Sequence, residues 1–199
     1  MIERSEPLAR LERAVRDAAI ATAGRAPVGV SHDSADEDVG SFGSDDAIGF
    51  DPFPVLDALS RHGARAVVMG QVAGIMHGSV EPTGDFDLLW DGSAEQAPRM
   101  TAAFASVGAA LTDADGRSIA LGVGAFELAK VLFRTATASG DCCTPKLPWG
   151  ELDIDAILRR ADTAVRDGLT VHYVGLPDLI AMRRAVGRAK DRRRNEEFG

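Results

Sequence analysis

Apolar positions recur along this 199-residue chain with two different spacings, one typical of helices and the other typical of strands. The helical spacing predicts helices over 5–23, 55–61, 72–77 and 94–107, and a closing helix that begins at Pro177. Short apolar runs predict strands over 64–69, 85–90, 118–123, 130–136, 152–154 and 171–174, with a loop over 139–148. This alternation over short links predicts an α/β or α+β fold, in which helices flank a mixed β-sheet.

Residues 24–50 break this pattern, because they are rich in glycine, serine and aspartate and show little periodicity. Such a composition is typical of a flexible acidic linker. We therefore expect residues 1–50 to form an N-terminal helix and a linker without a catalytic part, and residues 51–199 to form the main domain. The 45% hydrophobic content is enough for one core in a chain of this size.

The charge of the chain is acidic overall, with a formal net charge of -8. This balance argues against broad, non-specific binding of nucleic acid. A strongly basic stretch nevertheless lies at 183–194. Beside a phosphate site it would guide a nucleotide or an RNA end, and elsewhere it would be a solvated helix face.

The cysteines and the apolar runs bear on the cellular compartment. Cys142 and Cys143 are adjacent, and their α-carbons, about 3.8 Å apart, are closer than ordinary disulfide geometry accepts. We therefore expect reduced thiols. No uninterrupted apolar run reaches the roughly 18 residues of a membrane span, and no secretory segment follows the charged start. We expect a cytoplasmic protein without a membrane partner.

Asp85 and Asp87 are separated by one residue in a stretch that predicts a strand. Residues two apart on a strand share a face, so both carboxylates point the same way. At a separation of about 4 Å and an effective dielectric of about 20, two like charges repel by roughly 4 kcal/mol, which a divalent cation reverses. An EF-hand loop is excluded, since apolar residues follow Asp87. The alternative to a metal site is a solvated edge strand.

Two further segments carry candidate chemistry. Gly70 stands between an apolar strand and an alanine-rich helix, where a glycine frees backbone N–H groups that favour a phosphate ligand. In the stretch 151–155, acidic and apolar residues alternate, so the acids share one face of a predicted strand. That face is either part of the site or a solvated edge.

Together these residues resemble the nucleotidyltransferases of the DNA polymerase beta-like superfamily, and most of all the small bacterial group that includes the abortive-infection type IV toxins. The resemblance covers about residues 55 to 194. The similar motifs are Gly70-Gln71-x-Ala73, His77-Gly78-Ser79, Pro82-Thr83-Gly84-Asp85-x-Asp87, Gly150-Glu151-Leu152-Asp153, and the closing segment from Leu176 to Asp191.

The resemblance implies a nucleotidyltransferase fold and a Mg²⁺-dependent transfer of a nucleoside monophosphate from an NTP to an acceptor hydroxyl. It implies that Asp85, Asp87 and Asp153 are catalytic and hold the metal, with Asp153 as general base and Asp155 as the alternative third acid. Nucleotide-binding residues would be Gly70, Gln71, Thr83, Arg183 and Lys190. The implied acceptor is a tRNA 3' end, with an antitoxin protein as partner, or else a small molecule.

Three residues depart from the pattern of that family. Gln71 stands where glycine or serine is usual, Glu81 where an arginine is frequent, and Arg183 where lysine is usual. The departures at Gln71 and Glu81 motivate an alternative, a catalytically silent protein of the same fold that binds a nucleotide or a protein partner. A metal-dependent glycosyltransferase is a third hypothesis, which leaves Asp153 and the closing helix unexplained.

Overall fold

The computed structural model describes residues 6–30 and 41–199 of the chain. Over these ranges the protein has a mixed α/β architecture built on one eight-stranded sheet. The strands are β1 (Ala66–Val68), β2 (Leu88–Trp90), β3 (Ala110–Thr112), β4 (Ser118–Ile119), β5 (Lys130–Arg134), β6 (Ser139–Cys143), β7 (Asp162–Arg166) and β8 (Leu169–Tyr173). Their order across the sheet is β4-β3-β5-β6-β2-β1-β8-β7. The mixed sheet with accompanying helices confirms the predicted fold class.

Seven α-helices accompany the sheet within the described ranges. They are α1 (Glu6–Thr22), α2 (Phe53–Arg61), α3 (Gly70–His77), α4 (Ala97–Ser106), α5 (Ile154–Arg159), α6 (Leu176–Val186) and α7 (Ala189–Glu196). The predicted closing helix is divided in two, because Gly187 adopts a left-handed φ of 73° that ends α6 before α7 begins. None of the described helices is long and apolar enough to cross a membrane.

The centre of the sheet is where the candidate site is formed. β1 pairs with β2 in antiparallel fashion and with β8 in parallel fashion, and β2 pairs with β6 in parallel fashion. β1 and β2 are buried along their whole length, as expected for central strands covered on both faces. The ends of these strands therefore meet at one edge of the core, where buried backbone stops and side chains reach solvent.

The N-terminal part of the chain packs onto this core. Leu8 and Leu11 of α1 are fully buried and belong to the same apolar cluster as the strands. Ala47 is also fully buried and lies against Gly84, so close that a Cβ at position 84 would stand 2.4 Å from the Ala47 α-carbon. Residues 41–50 thus differ from the detached linker predicted for 24–50. Residues 1–5 and 31–40 of the predicted N-terminal helix and linker lie outside the described ranges.

Several predicted elements are wrong. The loop predicted over 139–148 contains β6, and the strand predicted over 152–154 is instead a turn that leads into α5. β3 and β7 were not predicted at all. They have three and five residues of mixed polarity, which is too short a stretch to show a clear alternation of polar and apolar positions. The three missed strands each pair with a neighbour in the sequence, β3 with β4, β6 with β5 and β7 with β8.

Candidate functional site

A cavity of about 480 Å³ opens where β1, β2 and β6 end, and α6 and α7 form its opposite wall. Three kinds of side chain line it. The acidic ones are Asp85, Asp87, Asp141 and Asp191, the basic ones are Arg183, Arg188, Lys190 and Arg194, and the apolar ones include Met69, Trp149, Leu152, Met182 and Val186. The cavity therefore has an acidic wall from the sheet and a basic wall from the closing helices.

The acidic wall is set by strand register. Leu88 of β2 is the partner of Cys142 of β6 in a parallel pair, which places Asp87 and Asp141 at equivalent positions immediately before them. Asp85 lies two residues earlier, and the intervening Phe86 is fully buried. The backbone N–H of Phe86 donates to the Ser139 carbonyl at 3.0 Å, so the ladder continues past the end of β2. The expected alternation therefore holds, and Asp85 and Asp87 face the cavity.

The surroundings of Asp85 disfavour the ionised form of its carboxyl group. Burial and, after it, the negative charge of Asp141 raise the pKa of Asp85 to about 7, against the opposite effect of a hydrogen bond with Asp87. Close carboxylates without a cation avoid repulsion by keeping a proton between them. This corner of the cavity is therefore short of positive charge.

Asp141 has a cationic neighbour of its own. Lys130 of β5, which lies opposite Cys143, places its Nζ 2.5 Å from Oδ2 of Asp141. Burial opposes the charge on Lys130, but the hydrogen bond and the charge of Asp141 outweigh it and raise the pKa of the ammonium group. Lys130 therefore stays protonated beside the acidic wall.

The predicted third acid lies elsewhere. Asp153 is exposed and caps α5, where its Oδ1 accepts a hydrogen bond of 2.9 Å from the backbone N–H of Ala156. Asp155 is exposed in the first turn of the same helix. Neither lines the cavity, and Asp141 occupies the place expected for them. The physical reason is that an aspartate followed by apolar residues caps a helix as readily as it continues a strand.

The turn between β1 and α3 is built around Gly70. Its φ of 65° is left-handed, and an added Cβ would lie 2.5 Å from Oδ2 of Asp87. Only glycine fits this approach. Met69 at the N-cap gives no side-chain hydrogen bond to the first turn of the helix. The N terminus of α3 therefore lies in the lining of the cavity beside the acids, and a helix N terminus is a position that favours a phosphate oxygen.

Gln71 follows that glycine but turns its side chain away from the turn. Its Nε2 donates to Ser79 Oγ at 2.8 Å and to the Glu81 carbonyl at 2.7 Å. Its Oε1 accepts a hydrogen bond of 2.7 Å from Nη2 of Arg183. The side chain is only 4% exposed. Gln71 therefore serves to hold Arg183, and its bulk does not fill the phosphate turn.

The basic wall is buried to an unusual degree. Arg183, Lys190 and Arg194 are each 5% exposed. Burial, followed by repulsion from Arg194, lowers the pKa of Arg183 to about 10 and that of Lys190 to about 8. Arg183 and Lys190 therefore remain mainly cationic at neutral pH, and this part of the wall is positive and poorly hydrated. Such a wall favours an anionic ligand.

Glu81 occupies the position where an arginine was expected, and it supports the basic wall. Its carboxylate lies 2.8 Å from Nη2 of Arg194 and 3.2 Å from Nη2 of Arg193. Arg194 is thereby fixed in the lining of the cavity. Glu81 thus contributes to the cavity by positioning a guanidinium of α7.

Thr83 is buried in the lining, where its Oγ1 accepts a 3.2 Å hydrogen bond from the backbone N–H of Asp85. This hydrogen bond fixes the backbone at the pair of Asp85 and Asp87.

Trp149 is also held in place, because its Nε1 donates to the Thr144 carbonyl at 2.8 Å. Cys142 and Cys143 are free and buried, which confirms the predicted reduced thiols.

The fit of a metal ion can be judged from these side chains. Across residues 6–30 and 41–199, no group of three or more His, Cys, Asp or Glu side chains is already arranged around a metal position. Asp85 and Asp87 supply the hard oxygen donors that Mg²⁺ prefers. Asp141 would add a third oxygen ligand if its carboxylate turned from Lys130 toward these two acids. The donor chemistry fits a divalent cation.

No protein-family model matches the chain, and a search of the curated proteins finds no match.

Proposed function

We propose that this chain is a Mg²⁺-dependent nucleotidyltransferase that moves a nucleoside monophosphate from an NTP to an acceptor hydroxyl. The observation that carries the proposal is the parallel register of β2 and β6. It puts Asp141 beside Asp87, at the N terminus of α3 and facing a basic wall. Acids that hold a cation and bases that hold phosphate are the two requirements of phosphoryl transfer.

The residues of the basic wall have the task of holding the triphosphate. Arg183, Lys190 and Arg194 face the acids across the cavity, and the amides at Gly70 and Gln71 add hydrogen-bond donors. Because these cations are already buried and positioned, they lose little hydration or side-chain freedom when the phosphate arrives. The phosphorus is thus placed against Asp85 and Asp87.

The reaction forms one bond and breaks another. The acceptor oxygen attacks the α-phosphorus, the bond from that phosphorus to the bridging oxygen breaks, and pyrophosphate leaves with the bonding electrons. Asp141, in place of the predicted Asp153, accepts the hydroxyl proton. Mg²⁺ at Asp85 and Asp87 would supply charge neutralisation at the transferred phosphate.

The apolar part of the cavity suits a nucleobase. Trp149, Leu152 and Val186 lie in the same lining as the basic residues. The hydrogen bond from the indole to Thr144 fixes the ring before a ligand binds. A fixed aromatic surface near a phosphate site favours stacking of a planar ring.

The second candidate is a silent protein that binds a nucleotide without transfer. The ion pair between Lys130 and Asp141 favours it, because that pair satisfies one acid without a metal. Gln71 and Glu81 are the two departures that motivated this candidate, and their contacts give it less support than their sequence positions did. The Gln71 side chain is held by Arg183 away from the turn at Gly70, and Glu81 holds the guanidinium of Arg194 in the lining of the cavity.

Labelled nucleotides separate the two candidates. The protein is incubated with Mg²⁺, each α-labelled NTP, and either total RNA or a mixture of small hydroxyl compounds, and transfer and pyrophosphate are measured. We expect label transfer that EDTA and Asp87→Asn abolish. NTP binding without pyrophosphate release would favour the silent protein. Absence of pyrophosphate release from every NTP, together with sugar transfer in a parallel incubation with a labelled nucleotide sugar, would favour the glycosyltransferase.

A further inference from the structure

A second cavity, of about 310 Å³, lies on an accessible face of the sheet and shares two acids with the first. Its lining comprises Asp46, Asp85, Ala110, Thr112, Leu132, Phe133, Arg134, Ser139, Gly140 and Asp141. Asp85 and Asp141 line both cavities. Along β6 the two cavities are displaced from each other, since Cys143 lines the first, Ser139 lines the second, and Asp141 lies between them.

Strand register explains why this second cavity exists. Leu132 of β5 is the partner of Asp141 in β6 and of Thr112 in β3, so these three side chains form a row on one face of the sheet. All three are only half-buried. The neighbouring Leu111, Val131 and Phe133 are buried in the core. The sheet therefore offers an accessible surface that begins at the acids and runs toward its edge.

The N-terminal segment supplies one side of this cavity. Asp46 lies in the segment that packs against Gly84, and its carboxylate is 2.5 Å from Nη1 of Arg134 on β5. The Asp46 side chain is 8% exposed, whereas that of Arg134 is 67% exposed. The ion pair thus joins residues 41–50 to the rim of the cavity. This placement differs from the prediction that these residues belong to a linker without a catalytic part.

In-line displacement at phosphorus explains why two cavities would meet at one set of acids. The attacking and leaving oxygens must lie on opposite sides of the phosphorus. The first cavity holds the basic wall that suits the leaving pyrophosphate. The attacking hydroxyl must then approach the acids from the other direction, and the second cavity is the space that opens there.

We propose that the second cavity is the acceptor site, and that its acceptor is a small polyhydroxylated molecule such as a polyol or a sugar. This inference rests on the proposed function and names the substrate class for it. A volume of about 310 Å³ lies at the small end of ligand sites, which span roughly 300 to 1,000 Å³. Thr112, Ser139 and Asp46 offer hydrogen-bonding groups to ligand hydroxyls, while Leu132 supplies an apolar floor. An RNA end extends beyond such a space.

The test uses the full chain, Mg²⁺ and each NTP in turn, with glycerol as the surrogate acceptor and, in a parallel incubation, total RNA. Water attack yields NMP and glycerol attack yields glyceryl-NMP, so the ratio of these products reports on the acceptor side. Thr112→Trp and, independently, Leu132→Trp fill the second cavity. Thr170→Trp is the matched control, because Thr170 is an exposed residue of β8 that does not line either of these two cavities. The affinity for NTP is measured on every variant.

We expect each cavity-filling variant to lower the ratio of glyceryl-NMP to NMP about tenfold, equivalent to about 1.4 kcal/mol, with NTP affinity unchanged. The Thr170→Trp control should match the wild type. An unchanged product ratio in both filled variants would overturn the acceptor site, as would equal losses of NTP binding. Labelling of total RNA that both variants leave intact would place an RNA acceptor elsewhere and overturn it too. If the wild type forms neither product from any NTP, the proposed function itself has failed and the acceptor site fails with it.

Discussion

Asp87 and Asp141 are brought side by side by a single pairing, that of Leu88 with Cys142 in the parallel strands β2 and β6. Fifty-four positions separate the two acids in the sequence, as their numbers show. Neither strand would place an acid there without the other, so the acidic wall is a product of the tertiary fold.

Replacing Gln71 tests what this residue does for the basic wall. We expect Gln71→Gly to weaken NTP binding and to lower stability, because Arg183 loses its buried acceptor. Leaving such a group unpaired costs about 1 to 3 kcal/mol. Ser79→Ala is the control, since it removes one partner of Gln71 and leaves the contact with Arg183. Tighter NTP binding by Gln71→Gly, measured by calorimetry, would show that the glutamine blocks the phosphate turn.

Asp85 predicts a pH-dependent stability in the absence of metal. Its pKa is about 7 in the folded protein against 3.8 for the ordinary carboxyl, so the folded state holds a proton that the unfolded chain has released. The resulting destabilisation grows as pH rises from about 4 and is complete above about pH 7. The substitution Asp85→Asn removes this pH-dependent destabilisation. We expect a gain in stability near pH 8, at about 1.4 kcal/mol per pKa unit and a few kcal/mol at most, and no gain near pH 4.

Thermal unfolding in EDTA at the two pH values measures this difference. Mg²⁺ should also stabilise the wild type near pH 8, and Asp85→Asn much less. Equal effects of Asp85→Asn at both pH values would mean that Asp85 carries no electrostatic penalty.

The first helix gives a prediction about the extent of the core. Leu11 is fully buried, so Leu11→Ala should lower the free energy of unfolding by about 2 to 5 kcal/mol. Ile20 on the same helix is 75% exposed, and Ile20→Ala should change it by no more than about 0.5 kcal/mol. Urea unfolding monitored by tryptophan fluorescence compares them. Equal, small effects would show that α1 contributes little to the folded core.

The local part of the site could be predicted from the sequence, and the part that depends on distant pairing could not. Gly70, Asp85 and Asp87 lie within one strand-turn-helix-strand unit, whose alternation and glycine are visible in the chain itself. Asp141 sits in a glycine-, threonine- and proline-bearing stretch that looks like a loop, although it forms a strand paired with the neighbouring β5. Its place beside Asp87 depends on the distant pairing of β6 with β2.

A signal for Asp141 was nevertheless present in its neighbour. Gly140 stands so close to β2 that an added Cβ would lie 2.0 Å from the Phe86 carbonyl oxygen. A glycine inside a strand often marks such a close approach of another backbone. The strand predicted around Asp153 was wrong, because Leu152 and Ile154 mimic the alternation of a strand. The aspartate between them instead caps a helix.

The account depends most on Asp141 as the third acid, and paired substitutions test it directly. Asp141→Asn and Asp153→Asn are compared with the wild type in Mg²⁺-dependent transfer from the labelled NTP that the wild type uses best. Loss of the proton acceptor should reduce transfer by Asp141→Asn at least about a hundredfold, with NTP binding retained. Asp153→Asn should transfer at nearly the wild-type rate, since its carboxylate only caps α5. Full activity in Asp141→Asn together with its loss in Asp153→Asn would contradict the account.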